Sequence, residues 1–105
     1  MDNLTAVALK ARLDAGAAPL LLDVREPWEF ELCRIDGARN IPMSAIPAML
    51  DTLDTGRETV VICHHGMRSL QVCQFLANRG FDNIYNLAGG IDAWARDIDA
   101  AVPRY

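Results

Sequence analysis

Residues 59–69 read TVVICHHGMRS. The first residues form an apolar, β-branched run, which is typical of a strand that is covered on both faces. Cys63 ends this run, a short loop with one glycine follows, and Gln71, Gln74 and Asn78 then recur with helical spacing. We therefore predict a buried strand over 59–63, a loop over 64–68 and a helix over 69–79.

Strand and helix patterns alternate along the rest of the chain. An apolar run predicts a further strand at 19–24, and strands are also predicted at 38–41 and 83–88. Helices are predicted between Thr5 and Gly16, from Pro27 to Leu32, over 45–53 and over 91–96. This order predicts a single three-layer α/β domain over residues 1–105, in which helices flank a central, mostly parallel sheet.

Composition narrows the range of partners. The chain has 105 residues, of which 51% are apolar and 23% charged, and its net charge is −4. Because no stretch is strongly basic, we expect neither a nucleic acid nor an anionic membrane as partner. The longest apolar stretch near the N-terminus, residues 15–22, is too short to cross a bilayer.

The cysteines bear on metals and on cellular location. Cys33, Cys63 and Cys73 have no spacing that is typical of a zinc site, so we expect no metal. An odd number of cysteines without a dense framework argues against a disulfide-stabilised secreted domain. The N-terminus also lacks the charge and apolar order of a signal peptide. Together these features predict a cytoplasmic protein; they do not indicate its oligomeric state.

Cys63 is the strongest candidate for a reactive residue. It follows a predicted parallel strand, and ligands of open α/β sheets bind beyond the carboxyl ends of the strands. A short glycine-containing turn into a helix can direct several backbone N–H groups inward, and the helix N-terminus adds partial positive charge. We expect these groups to stabilise a Cys63 thiolate. The alternative is that Cys63 packs as an apolar residue at the end of its strand.

Three motifs resemble the rhodanese family of sulfurtransferases. Residues 20–42 (LLLDVREPWEFELCRIDGARNIP) are similar to the family's segment from its Asp-Val-Arg motif to its Asn-Ile-Pro motif. Residues 60–69 (VVICHHGMRS) resemble the family's active-site loop, and residues 86–94 (NLAGGIDAW) resemble its Gly-Gly turn. The resemblance covers essentially the whole chain and implies the rhodanese-like fold, with a mostly parallel sheet between helices.

The resemblance also implies an activity. Cys63 would attack the outer sulfur of a small anionic donor such as thiosulfate, or of a protein persulfide, and would then carry that sulfur as a persulfide. A thiol or cyanide would accept it, with neither a metal nor an organic cofactor. The residues that the resemblance implies for substrate binding are His64, His65, Gly66, Met67, Arg68 and Ser69, with Asp23 and Arg25 in support.

Several of these residues have a second interpretation. Arg68 either helps to hold an anionic donor or stabilises its own loop, and His64 and His65 either add positive charge at moderately low pH or are solvated. Asp23 and Arg25 either brace the loop or pair with each other or with Glu26. Cys63 and Arg68 are separated by four residues, one fewer than in related phosphatases, which favours sulfur over phosphate as the bound group.

Two further functions remain open: a non-catalytic regulatory or docking module, and a redox-sensing thiol protein. In the second, Cys33 would act as a resolving thiol for Cys63. The segment Cys33-Arg34-Ile35 replaces the family's usual Gly-His-Ile, so no role of that histidine transfers to this chain. We interpret Cys73, Trp28 and Trp94 as packing residues.

Overall fold

The computed structural model describes all residues from Met1 to Tyr105. The strands are β1 (Asp2–Leu4), β2 (Leu20–Asp23), β3 (Arg39–Asn40), β4 (Thr59–Ile62) and β5 (Ile84–Leu87). The helices are α1 (Ala6–Asp14), α2 (Pro27–Leu32), α3 (Ile46–Met49), α4 (Met67–Ala77) and α5 (Gly90–Asp97). All strand pairs are parallel, in the order β1-β5-β4-β2-β3.

Strand β4 lies at the centre of the sheet, and every one of its residues is buried. Its side chains alternate between two apolar cores. Val60 and Ile62 pack into a core with residues of α1 and α5, whereas Val61 and Cys63 pack into a second core with residues of α3 and α4. The predicted three-layer α/β architecture is therefore confirmed, and Cys63 lies just beyond the carboxyl end of β4.

The structure adds one strand to the predicted elements and corrects two helices. Strand β1 was not predicted; it is three residues long, two of them exposed, and it pairs with β5 through the backbone. The helix predicted over 45–53 is only the four-residue α3 between two 3₁₀ turns, 43–45 and 50–52. Helix α4 begins two residues earlier than predicted, because Gly66 already adopts the N-cap position.

The two tryptophans differ in environment. Trp94 packs in the core and is 6% exposed, in agreement with its interpretation as a packing residue. Trp28 was interpreted in the same way, but it is 63% exposed and belongs to neither core. Trp28 lies in the first turn of the six-residue α2, where its ring meets the edge of the Tyr105 ring. No helix has the length and apolar character that crossing a membrane requires.

Candidate active site

Residues 63–68, here called the Cys63 loop, connect β4 to α4. Gly66 has a φ of 101°, a left-handed conformation that glycine adopts without strain. This turn brings the Gly66 N–H to within 3.0 Å of Cys63 Sγ, where it donates a hydrogen bond. Cys63 is only 1% exposed, so its sulfur is almost completely shielded from solvent.

The Gly89-Gly90 turn holds the outer side of the Cys63 loop. The Ile91 N–H donates to the Cys63 carbonyl at 2.8 Å, and the Asp92 N–H donates to the His64 carbonyl at 3.1 Å. A Cβ atom on Gly90 would collide with both of these carbonyl groups. The first turn of α5 therefore fixes two carbonyls of the loop through hydrogen bonds, and glycine is required for this approach.

A polar chain supports the sulfur from the opposite side. The Ser69 hydroxyl lies 3.3 Å from Cys63 Sγ and also bonds to Asn86 Oδ1. Asn86 Nδ2 in turn donates to the Gly66 carbonyl at 3.3 Å and to Asn3 Oδ1 at 3.1 Å. Since a hydroxyl has one hydrogen, Ser69 can donate it to the sulfur when the sulfur is negatively charged.

The Cys63 loop also offers free backbone donors. The N–H groups of His64, His65, Met67 and Arg68 donate to no backbone acceptor within the protein. Those of Met67 and Arg68 belong to the first turn of α4, an eleven-residue helix with a partial positive charge at this end. The loop therefore combines unpaired donors with a helix N-terminus, which is the arrangement that stabilises an anion.

Arg68 is held by a carboxylate. Its guanidinium makes two hydrogen bonds to Glu29, at 2.6 and 2.9 Å, and these raise the pKa of Arg68. The same bonds, helped by a bond from Tyr105, lower the pKa of Glu29 from 4.5 to about 2 against the opposing effect of burial. The Glu29 carboxylate is buried and the Arg68 side chain is 33% exposed, so α2 and α4 are joined by a partly buried ion pair beside the Cys63 loop.

Tyr105 reaches the same group of residues from the last position of the chain. Its hydroxyl donates to Glu29 Oε2 at 2.7 Å and accepts from Arg25 Nη1 at 3.0 Å. Burial raises the pKa of Tyr105 to about 12, with the bond to Glu29 adding to the effect. Its ring stacks on that of His64, and burial together with the neighbouring His65 lowers the pKa of His64.

Asp23 and Arg25 pair with each other. Both are fully buried, and the Arg25 guanidinium makes bonds of 2.7 to 3.1 Å to the Asp23 carboxylate. Arg25 also binds the carbonyls of Glu29 and Cys33. Neither side chain makes a hydrogen bond to the Cys63 loop, so their connection to it runs through Tyr105 and Glu29.

Comparison with known proteins identifies the family of this chain. Residues 5–97 match the model of the Rhodanese-like domain family. The chain belongs to this family. It is 41% identical over 94 residues to the putative sulfurtransferase YtwF of Bacillus subtilis, covering 90% of each chain. It is 36% identical over 77 residues to the thiosulfate sulfurtransferase GlpE of Actinobacillus succinogenes, covering 73% of this chain and 69% of the relative.

The crystal structure of a rhodanese-like domain protein from Staphylococcus aureus superimposes with a TM-score of 0.87. The two sequences are 30% identical, and the alignment covers 100% of this chain and 99% of the other. The rhodanese-like fold expected from the sequence is thus confirmed, and relatives that are named sulfurtransferases place the chain in a sulfurtransferase family.

Within this rhodanese fold, the predicted site residues occupy different environments. Gly66 and Ser69 contact the sulfur of Cys63, His64 and His65 stack on each other, and Arg68 faces Glu29. Met67 is 72% exposed, and its side chain projects from the start of α4. Cys63 and Cys73 share one core, whereas Cys33 lies in the other. Burial raises the pKa of Cys73 to about 12.

Three residues of the site were missed by the sequence analysis: Glu29, Asn86 and Tyr105. A signal existed for Glu29, which follows Glu26 by three residues at a helix start, the spacing of a capping box. Its carboxylate accepts the Glu26 N–H at 3.0 Å. Asn86 also had a signal in the sequence, because it is a polar residue within a predicted buried strand. Nothing in the sequence connects Tyr105 to the Cys63 loop.

One group of side chains has the composition of a metal site. Donor atoms of His64, His65 and Asp92 lie within 4.8 Å of one another. The Asp92 carboxylate, however, already binds the guanidinium of Arg104 through two hydrogen bonds of 3.0 and 3.2 Å. The two imidazoles are stacked, 3.9 Å apart, so their in-plane lone pairs do not converge on one ion. This group therefore fits a metal poorly.

Proposed function

We propose that this protein is a rhodanese-type sulfurtransferase that carries sulfane sulfur on Cys63. The observation that supports this most directly is the environment of the sulfur. Cys63 Sγ accepts a hydrogen bond from the Gly66 N–H and touches the Ser69 hydroxyl, at the N-terminal end of α4. Such donors favour a thiolate, and the thiolate is the form of cysteine that attacks sulfur.

In the first step, the Cys63 thiolate attacks the outer sulfur of the donor. A new S–S bond forms at Cys63 while the bond between the two sulfur atoms of the donor breaks. The electron pair of the broken bond leaves with the remainder of the donor, as sulfite from thiosulfate or as a thiolate from a persulfide. The free N–H groups of the Cys63 loop stabilise the negative charge on the bound sulfur.

In the second step, an acceptor removes the sulfur. Cyanide or a thiolate attacks the outer sulfur of the Cys63 persulfide, and Cys63 leaves as a thiolate that the same donors stabilise. The cycle needs no net oxidation and no group beyond the two substrates. It requires a reduced thiol, which is consistent with three free cysteines and with a cytoplasmic location.

The structure gives less support to the alternatives. A redox sensor in which Cys33 resolves Cys63 would need the two thiols to meet, but they pack in separate cores. A docking module would have no need for a cysteine with its own hydrogen-bond donors.

The test is the formation of thiocyanate from cyanide and either thiosulfate or a persulfide. We expect turnover by the wild-type protein and by Cys73→Ala, which keeps Cys63, and none by Cys63→Ser. Turnover that survives Cys63→Ser would refute the assignment.

A further inference from the structure

The Glu29 carboxylate is held by hydrogen bonds from three parts of the chain. Its Oε1 accepts from the Glu26 N–H at 3.0 Å and from Arg68 Nη1 at 2.6 Å. Its Oε2 accepts from Arg68 Nη2 at 2.9 Å and from the Tyr105 hydroxyl at 2.7 Å. A carboxylate has about four lone-pair sites, so every acceptor site of Glu29 is used. The carboxylate cannot turn without breaking one of these bonds, and its two bonds to Arg68 extend the constraint to the guanidinium.

Tyr105 connects this carboxylate to the interior of the protein. Its hydroxyl has a single hydrogen, which it donates to Glu29, and its oxygen accepts from Arg25 Nη1 at 3.0 Å. Arg25 is fully buried and is itself fixed by the Asp23 carboxylate. A continuous chain of hydrogen bonds therefore runs from a buried ion pair through Tyr105 and Glu29 to Arg68.

The Tyr105 ring is restrained by two aromatic neighbours. One face of the ring stacks on His64 at a centroid distance of 3.8 Å. The Trp28 ring makes a T-shaped contact with it, at a centroid distance of 6.1 Å and an interplanar angle of 70°. Both arrangements are favourable for aromatic pairs. Because these contacts restrain the ring, the hydroxyl stays between Glu29 and Arg25.

Arg68 lies where it can hold an anionic donor. Its backbone N–H is one of the free donors of the Cys63 loop, and its side chain is partly exposed. The bonds to Glu29 raise the pKa of the guanidinium against the effect of burial, and the charge of a Cys63 thiolate raises it further. The guanidinium is thus within electrostatic reach of the sulfur. Glu29 takes only one hydrogen from each terminal nitrogen, and the other N–H hydrogens are available to a donor.

We propose that Tyr105 is a positioning residue for sulfur transfer: its hydroxyl, acting through Glu29, fixes the direction in which the Arg68 guanidinium faces an anionic sulfur donor. This inference depends on the proposed function. When the Cys63 thiolate attacks the outer sulfur of thiosulfate, the electron pair of the broken bond leaves with sulfite, whose oxygens carry negative charge. An Arg68 side chain that is already held in place stabilises these oxygens without losing conformational freedom during the reaction.

The two steps of the reaction provide a measurement that distinguishes positioning from folding. In a double-displacement mechanism, kcat/KM for the donor reports the first step and kcat/KM for cyanide reports the second. Cyanide has no oxygen atoms for Arg68 to orient, so only the first step should depend on Tyr105. A variant that merely contains less folded protein lowers both values by the same factor, and the ratio of the two values stays constant.

The variant Tyr105→Phe keeps the ring and removes the hydroxyl. We expect kcat/KM for thiosulfate to fall by about fivefold or more, the effect of losing one hydrogen bond to a charged group, and kcat/KM for cyanide to change by less than about twofold. The matched control is Tyr85→Phe, which removes a hydroxyl from a half-buried residue of β5 outside the site. This control should leave both values unchanged.

A double-mutant cycle tests the route through Arg68. Arg68→Met removes the guanidinium and keeps an unbranched side chain, so the ratio of kcat/KM for thiosulfate to kcat/KM for cyanide should fall. If Tyr105 acts through Arg68, adding Tyr105→Phe to Arg68→Met should lower this ratio no further. The ratio does not depend on the fraction of folded protein, so partial unfolding of a variant does not mimic the result.

An unchanged ratio in Tyr105→Phe, an equal change in Tyr85→Phe, or additive effects of Tyr105→Phe and Arg68→Met would each overturn the inference while leaving sulfur transfer intact. Transfer to Cys63 from an organic persulfide but not from thiosulfate would also overturn it, because Arg68 would then have no donor oxygens to orient. Failure of both donors would overturn the proposed function itself, and the inference with it.

Discussion

The ring of Tyr105 lies flat on the imidazole of His64, with centroids 3.8 Å apart and planes only 6° apart. The hydroxyl of the same tyrosine bonds to Glu29, which holds Arg68. One residue at the end of the chain thus contacts the Cys63 loop directly through His64 and indirectly through Arg68. This contact defines one wall of the site.

The hydroxyl of Tyr105, a half-buried residue, should lose its proton only at high pH. We expect its phenolate to form near pH 12 rather than near pH 10, since burial and the Glu29 carboxylate both disfavour a second negative charge. Near-ultraviolet absorbance of Tyr85→Phe, in which Tyr105 is the only tyrosine, measures this directly. Because the folded-state pKa is raised, the associated stability is present below about pH 10 and is lost as the pH rises towards 12. A midpoint near 10 would show that the hydroxyl is solvated.

Because of the Glu29–Arg68 pair, the free energy of unfolding should decrease as the pH falls through the acid range. The pKa of Glu29 is depressed to about 2 in the folded state, so its contribution is fully present above about pH 4.5 and is lost as the pH falls towards 2. We expect the free energy of unfolding to fall by about 2–3 kcal/mol more in the wild-type protein than in Glu29→Gln between pH 5 and pH 2. Urea unfolding at each pH provides the values.

The control for the acid experiment is Glu31→Gln, whose carboxylate is exposed and makes no hydrogen bond in the structure. It should keep the full pH dependence of the wild-type protein. Parallel curves for the wild-type protein and Glu29→Gln would mean that the ion pair with Arg68 does not persist in solution.

Gly90 should tolerate no side chain, because a Cβ atom there would meet the carbonyls of Cys63 and His64. Gly80 is the matched control, since its φ is also positive, at 89°, but nothing lies within 4 Å of its Cβ position. We expect Gly80→Ala to cost about 1 kcal/mol from backbone strain alone. Gly90→Ala should cost about 3 kcal/mol or more, because overpacking adds to the strain.

Gly90→Ala should also abolish sulfur transfer in the molecules that remain folded, since it displaces the Cys63 loop. Thermal unfolding and the thiocyanate assay measure the two effects separately. If both glycine variants lost the same amount of stability and both kept full activity, the proposed role of the Gly89-Gly90 turn would be contradicted.

Ser69→Ala should slow the reaction without unfolding the protein. It removes a hydroxyl 3.3 Å from the sulfur and leaves the Asn86 oxygen without its partner. Loss of one hydrogen bond to a charged group corresponds to about tenfold or more in rate. Ser44→Ala, at an exposed position outside the site, is the control, and equal rates in the two variants would exclude a role for the Ser69 hydroxyl.

The segment from β4 to α4 was predictable from the sequence because its signals are local. A fully buried central strand requires a continuous apolar run, and a helix with one solvated face requires a polar stripe. The chain shows both, at 59–62 and at Gln71, Gln74 and Asn78. The position of Cys63 beyond the sheet followed from these two elements.

The contacts made by Glu29 and Tyr105 were not predictable in this way. They join residues far apart in the sequence through side-chain hydrogen bonds, and the periodicity of apolar and polar residues does not predict such pairs. Strand β1 was missed for a related reason: its three residues are held by the backbone of β5, so their side chains need not be apolar. Trp28 was misplaced because a large aromatic residue normally packs in a core, whereas here it borders the site.

The most direct test of the central claim is the mass of the protein after incubation with cysteine persulfide and removal of excess donor. Sulfur transfer through Cys63 predicts one added sulfur atom, located on the peptide that contains Cys63, removed by cyanide and absent from Cys63→Ser. An unchanged mass in the wild-type protein, or the same added sulfur in Cys63→Ser, would contradict it.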